Sequence, residues 1–125
     1  MAADANSVLQ ASTTKTASFN GAAFDLKVGT PLRGLNARVL YSAATNASGS
    51  NSFTFSIEHS DDNSTWYALA SGAAFVVNLS TTAQAGETFI PFTTKKRYVR
   101  LVATLAGGGS TPTITYQGEI VSGNP

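Results

Sequence analysis

Apolar residues in this chain recur at every second position, segment after segment, and no window of helical length holds a 3.6-residue apolar period. In Leu35 to Tyr41, the residues Leu35, Ala37, Val39 and Tyr41 share one side, and Asn36, Arg38 and Leu40 take the other. Phe53, Phe55, Ile57 and His59 alternate with Thr54, Ser56 and Glu58, and Phe75, Val77 and Leu79 alternate with Val76 and Asn78. Val99, Leu101, Ala103 and Leu105 form one face of a long strand, and Ile114, Tyr116, Gly118 and Ile120 form one face of the last. Successive side chains of a strand point to opposite faces, so each run predicts a strand with one side buried. β-Branched and aromatic residues dominate these runs, which fits a pleated, half-buried surface.

Turn chemistry separates the runs. Phe19, then Phe24, Leu26 and Val28, make the first apolar alternation, and Gly29-Thr30-Pro31 stops it. Ser42 to Asn51 reads as a long exposed loop. The Asp/Asn/Ser loop Ser60 to Ser64 joins the Phe53–His59 run to Thr65, Trp66, Tyr67 and Leu69 as a hairpin. Ser80 to Gly86 reads as a loop, and Glu87 to Phe92 as a short strand that Pro91 confines to an edge or a strand end. Gly107-Gly108-Gly109 and Ser110-Thr111-Pro112 connect the last two strands. The pattern predicts an all-β domain of seven to nine strands with little or no helix. Its strands would form two antiparallel sheets packed face to face, as a sandwich of jelly-roll type. Residues 1 to 18 read as an N-terminal arm or weak edge strand, 19 to 121 as the sandwich, and 122 to 125 as a short polar tail.

A length of 125 residues suits one domain with one core. The chain has no cysteine, which excludes disulfides, thiolate metal sites and thiol nucleophiles. Charged residues make up 12%, about half the usual share. The surface is therefore polar but weakly charged, and few charges need desolvating when it meets another protein. A net charge of +1 gives no electrostatic reason to expect nucleic acid. No segment approaches the roughly twenty apolar residues of a membrane span. The opening MAADANSVLQASTTKT lacks the pattern of a secretory signal, so the expectation is a protein made in a cytoplasm.

Chemistry-bearing side chains are few, and each has a structural explanation beside the functional one. His59, the sole histidine, would need a nucleophile or water within reach and a group to orient its ring; the alternative is that it caps its strand and bonds the loop backbone. Asp61, Asp62 and Asn63 offer adjacent oxygens, but two carboxylates are too few for calcium, and Asp and Asn also suit a tight turn. No metal, no cofactor and no enzymatic activity are expected. Trp66 and Tyr67 are a stacking platform for a sugar ring or, for Trp66, a core residue. Asn46, Asn63 and Asn78 each start an N-glycosylation pattern, as expected by chance in a chain so rich in Asn, Ser and Thr. Lys95, Lys96, Arg97 and Arg100 form the only basic cluster. Alternation through the start of the strand would put Lys96, Tyr98 and Arg100 on one face and Lys95, Arg97 and Val99 on the other. The cluster is either a solvated edge or a contact for an acidic protein partner.

Phe55 to Leu69, FSIEHSDDNSTWYAL, and Arg97 to Leu101, RYVRL, resemble paired segments of discoidin-like, galactose-binding jelly rolls. The chain as a whole resembles the small jelly-roll cement, or decoration, proteins of tailed-phage capsids. That likeness lies in the order of parts: an arm with Ser7-Val8, Phe24 to Leu32, the IEHSDDNSTW hairpin, Phe89-Ile90-Pro91-Phe92, RYVRL, and a Gly-rich turn before Ile114-Thr115-Tyr116. The resemblance implies attachment to the major capsid protein on the outside of a virion shell, in many copies, with self-association as a homodimer or homotrimer. No nucleic acid or membrane partner is implied. The candidate partner-binding residues are Val8, Leu9, Lys95, Lys96, Arg97 and Arg100, and the candidate contact elements are the arm and the loops Ser42–Asn51 and Gly107–Pro112. A carbohydrate-binding module, within a phage tail or fibre, is the alternative.

Overall fold

The computed structural model describes residues 8–26, 32–69 and 74–122. The described residues form ten strands: β1 (Val8–Lys15), β2 (Phe19–Asn20), β3 (Phe24–Asp25), β4 (Leu32–Thr45), β5 (Asn51–Ser60), β6 (Tyr67–Ala68), β7 (Phe75–Asn78), β8 (Gln84–Thr94), β9 (Tyr98–Gly107) and β10 (Thr113–Ser122). Gly29-Thr30-Pro31, Val28, Ser7 and the tail beyond Ser122 lie outside the described residues.

One sheet has the order β1-β10-β4-β8; in the other, β9 and β5 are central, with β2 and β3 on the far side of β9 and β6 and β7 on the far side of β5. Every pairing is antiparallel. With β2 and β3 as one broken strand, and β6 and β7 as another, the chain crosses between sheets in the eight-position order of a jelly roll. The expected two-sheet antiparallel sandwich is what the structure shows. Strand number exceeds the expected seven to nine because the first apolar run is split at residues 21–23 into β2 and β3, between which the register on β9 shifts by one residue.

Alternation translates directly into burial. Ala37, Val39, Phe53, Phe55, Val99, Leu101, Ala103 and Ile114 are all fully enclosed, and Leu35, Tyr41 and Phe75 pack partly buried against them. β5 and β9 pair without a register shift from Asn51↔Gly107 to Ser60↔Tyr98, so Phe55 on β5 and Ala103 on β9 sit side by side. Across the sandwich, the Phe55 ring meets Tyr116 of β10 edge-on, with centroids 4.9 Å apart. The sheets approach closely here: a Cβ added to Gly118 would meet a Leu101 methyl at 3.0 Å.

Among the described residues, all four sheet edges are blunted. β1 slips register twice along β10, and β8 carries Pro91, which has no N–H to offer. On the other sheet, β2, β3 and β6 are two-residue strands and β7 has four residues. Bulges, proline and very short edge strands are the usual means of stopping sheets from pairing edge to edge.

Two segments differ from their sequence-based expectation. β4 continues through Thr45, so the exposed loop expected from Ser42 shrinks to residues 46–50. β8 begins at Gln84, because Gln84 and Gly86 find backbone partners in Ala44 and Tyr41 despite the small, turn-like residues there.

Tyr116 is 1% exposed and its hydroxyl has no hydrogen-bond partner among the described residues; burial pushes its pKa up to about 12. An unpartnered buried hydroxyl costs about 1–3 kcal/mol. Tyr116→Phe keeps the ring against Phe55 and removes that cost, so it should raise thermal stability, whereas Phe55→Ala should cost about 3–5 kcal/mol. A melting temperature that falls on Tyr116→Phe would show that the hydroxyl is satisfied.

Candidate functional site

Register sorts the polar residues into two ends of the sandwich. At one end lie residues 24–26, the 60–67 loop and the β8–β9 turn; at the other lie residues 15–19, 45–51, 78–84 and 107–113.

The first end holds the basic cluster and the hairpin loop. Asp62 accepts hydrogen bonds from the backbone amides of Ser64 and Thr65, each at 2.9 Å, and from the Ser60 hydroxyl, also at 2.9 Å. These donors, Thr65 first, hold its carboxyl below the usual carboxylate range. Asn63 adopts φ 60°, the left-handed conformation that Asn tolerates well. The Asp/Asn run is therefore turn chemistry. Among the described residues, no three His, Asp or Glu side chains cluster as a metal site would require.

His59 Nδ1 lies 2.8 Å from the Thr94 hydroxyl, which also accepts the Lys96 amide at 3.0 Å. The imidazole thus ties β5 to the end of β8 through a side chain, where the sequence pointed to the loop backbone. Its pKa is lowered by burial and then by Lys96, against a smaller opposing influence of Asp61.

The basic cluster is largely spent within the chain. Lys96 Nζ bonds Asp61 at 2.7 Å. Arg97 grips both Asp25 oxygens, at 2.7 and 2.8 Å. Arg100 donates from Nε and Nη2 to one oxygen of Glu58, at 2.8 and 2.6 Å. Lys95 is exposed, with no ion pair among the described residues. The expected split of the cluster across two strand faces does not extend to Lys95, Lys96 or Arg97, because β9 starts at Tyr98 and those three form the turn before it.

The aromatic residues of this end carry cations on their faces. The Arg100 guanidinium sits 4.3 Å from the Trp66 ring centre, Lys96 lies over Tyr67 at 5.5 Å, and Arg97 lies over Tyr98 at 5.3 Å. Trp66 is only partly buried and lies outside the core, so of its two readings the core one does not hold. It rests on the outer face of the β5–β9 sheet, held by the Arg100–Glu58 pair. Tyr67 is 55% exposed.

Of the remaining candidates, Val8 is 47% exposed and Leu9 is 3% exposed. Leu9 is a core residue rather than a contact residue, because β1 turns that side chain inward. On the outer face of the first sheet, Arg38 is held between Glu87 and Glu119, its charged form favoured by hydrogen bonds to both, Glu119 first.

The second end was missed as a unit. Asn46 and Asn51 are buried, at 3% and 6% exposure. Asn46 Nδ2 donates to Asn51 Oδ1 at 3.0 Å and to the carbonyls of Ser48 and Gly49 at 3.3 and 3.2 Å. The 46–50 loop is stitched to the glycine-rich loop by Ala47 N–H to the Ser110 carbonyl, Ser110 N–H to the Ser48 carbonyl, and a Ser48–Ser110 hydroxyl pair at 2.7 Å. Gly107 has φ 101°, and any Cβ there would collide with the Ser50 carbonyl, so glycine is required for the loops to touch. Thr45 and Asn46 both bond the Ser80 carbonyl, bringing the third loop alongside. Low apolar content hid this order, since it arises from buried amides rather than packed hydrocarbon.

No family model and no curated relative matches the chain. Among solved structures, the PBSX exported protein XepA shares its fold, with a TM-score of 0.51 and 21% identity over 94% of this chain. The chain spans 37% of XepA's length.

His59 is the only histidine, so stability between about pH 7.5 and 5.5 reports on it. Below about pH 6.5 the unfolded chain takes up a proton that the folded chain, with its lowered pKa, resists. Stability should therefore fall as pH drops through this window, and His59→Gln should flatten the slope. Urea midpoints that stay constant or rise from pH 7.5 to 5.5 in the wild type would contradict this assignment.

Proposed function

We propose that this chain is a phage cement protein: a structural, non-enzymatic module that binds the outside of a major capsid protein shell in many copies and stabilises it. The observation that carries the reading is the internal commitment of the chemistry-bearing side chains singled out in the sequence. His59 holds Thr94, Asp62 holds a turn, Asp61 holds Lys96, and Trp66 holds Arg100. What remains to offer a partner is surface. The fold likeness to a phage protein, XepA, and the order of parts shared with cement proteins support the same reading.

A cement protein works by spanning junctions between shell subunits, so that dissociating the shell also requires breaking its contacts. Repetition on a lattice lets modest individual interfaces hold firmly. The blunted edges suit such crowding, since copies at high local density do not polymerise through open strands. Self-association as a dimer or trimer and residence on the virion exterior belong to the same proposal. A sugar-binding platform is less favoured, because one face of Trp66 is covered by Arg100.

Incubating the purified protein with expanded, undecorated shells of the phage that encodes it should give saturable, stoichiometric decoration and a higher shell melting temperature. Shells left bare and no more stable would end the cement reading, and competable binding on a glycan array would replace it with the carbohydrate-binding one.

A further inference from the structure

The two ends of the sandwich differ in charge. The end that holds the β8–β9 turn carries Asp25, Asp61, Asp62, Lys95, Lys96 and Arg97. At the end formed by residues 15–19, 45–51, 78–84 and 107–113, Lys15 is the only charged residue, and its ammonium lies 3.7 Å from the Phe19 ring centre. Everything else there is Ser, Thr, Asn, Gln, Gly, Ala, Pro, Leu or Phe.

We infer that the uncharged loops of this end, presented by Ala47, Ser48, Thr82 and Ser110, are the surface that docks on the major capsid protein; the inference rests on the cement reading above. Two properties argue for this end over the other. The first is preorganisation: backbone bonds between residues 47 and 110, 48 and 110, 50 and 109, and 46 and 80, with the buried Asn46–Asn51 pair beneath, fix three loops as one platform. A rigid platform loses little conformational entropy on binding, which is a main cost of association. The second is electrostatic. The charged end would have to desolvate its ion pairs, whereas Ala47, Ser48, Thr82 and Ser110 meet a neutral polar protein surface without a charge of their own, and the one charge of this end, Lys15, lies against the Phe19 ring. Contact through it leaves the acidic and basic groups in solvent, where they keep decorated particles soluble.

The partner is therefore a surface of uncharged, polar protein, and binding through it is insensitive to salt. Ala47 and Thr82 are exposed, and their side chains make no hydrogen bond among the described residues, so lysines there should leave the fold intact. Co-sedimentation with expanded shells supplies the test. Wild-type affinity should change by less than about threefold between roughly 50 and 500 mM NaCl, because no charge pairs are screened. The double variant Ala47→Lys/Thr82→Lys should bind at least about tenfold more weakly, through charges left unpaired in the interface. Ser64→Lys, at the opposite end, should bind as wild type, and thermal melts should show all three proteins folded. If the wild type binds and the loop-end double variant binds equally well, or Ser64→Lys alone abolishes binding, the docking surface is wrong while the cement reading stands. If the wild type leaves shells bare at every salt concentration, both fall together.

Discussion

The β5–β9 ladder is the interaction on which the rest of the molecule depends. It runs unbroken from Asn51↔Gly107 to Ser60↔Tyr98, and a one-residue slip would turn Phe53, Phe55 and Ile57 out of the core and bring Thr54, Ser56 and Glu58 in. From this ladder Phe55 reaches Tyr116 on the opposite sheet, which fixes the separation of the two layers. Both ends of the ladder are also the molecule's two polar regions. Gly107 and Asn51 close one end, and Ser60 and Tyr98 open onto the turn-rich other. Shifting the register would therefore dissolve the core and both surfaces together.

Charge is handled by pairing within the chain. Exposed pairs of this kind contribute little to stability, roughly 0–1 kcal/mol each, so their main consequence lies elsewhere. Arg97 with Asp25, Arg100 with Glu58, and Lys96 with Asp61 present compact, locally neutral units to solvent, and Arg38 offsets one of the two charges of Glu87 and Glu119. The guanidinium on Trp66 is held by Glu58 from the neighbouring strand, so a cation–π contact and an ion pair fix one side chain between them. A surface built this way has weak long-range fields. Partner choice then rests on shape and hydrogen bonding at short range.

The two-sheet architecture was legible in the sequence because burial follows the pleat: described apolar residues that recur at period two, as at Phe53, Phe55 and Ile57, lie in the core or pack partly buried against it. Features decided by distant neighbours were not legible. Arg97 finds Asp25 across 72 positions and Arg100 finds Glu58 across 42, so the basic run read as a free patch although most of it is paired. Trp66 read as a core residue because its hydrophobic area is large, yet its place was set by Arg100 on the outer face. Asn46 and Asn51 read as loop solvent contacts, since no sequence rule says that two amides will be buried against each other under a glycine-rich loop. The glycine run reads as a connector, and its second role, allowing backbone to touch backbone at Gly107, depends on φ and on Ser50 from another loop.

Closing the sheet edges has a consequence for assembly. A sandwich with open edges associates most readily through strand addition, which is indifferent to sequence and tends to propagate. Here the bulged β1, Pro91 in β8 and the fragmentary β2, β3, β6 and β7 remove that route on every side. Association must then use faces or ends, where side chains decide the fit and contacts terminate once a site is filled. That property suits the many-copy placement proposed above, in which each copy would hold its own site.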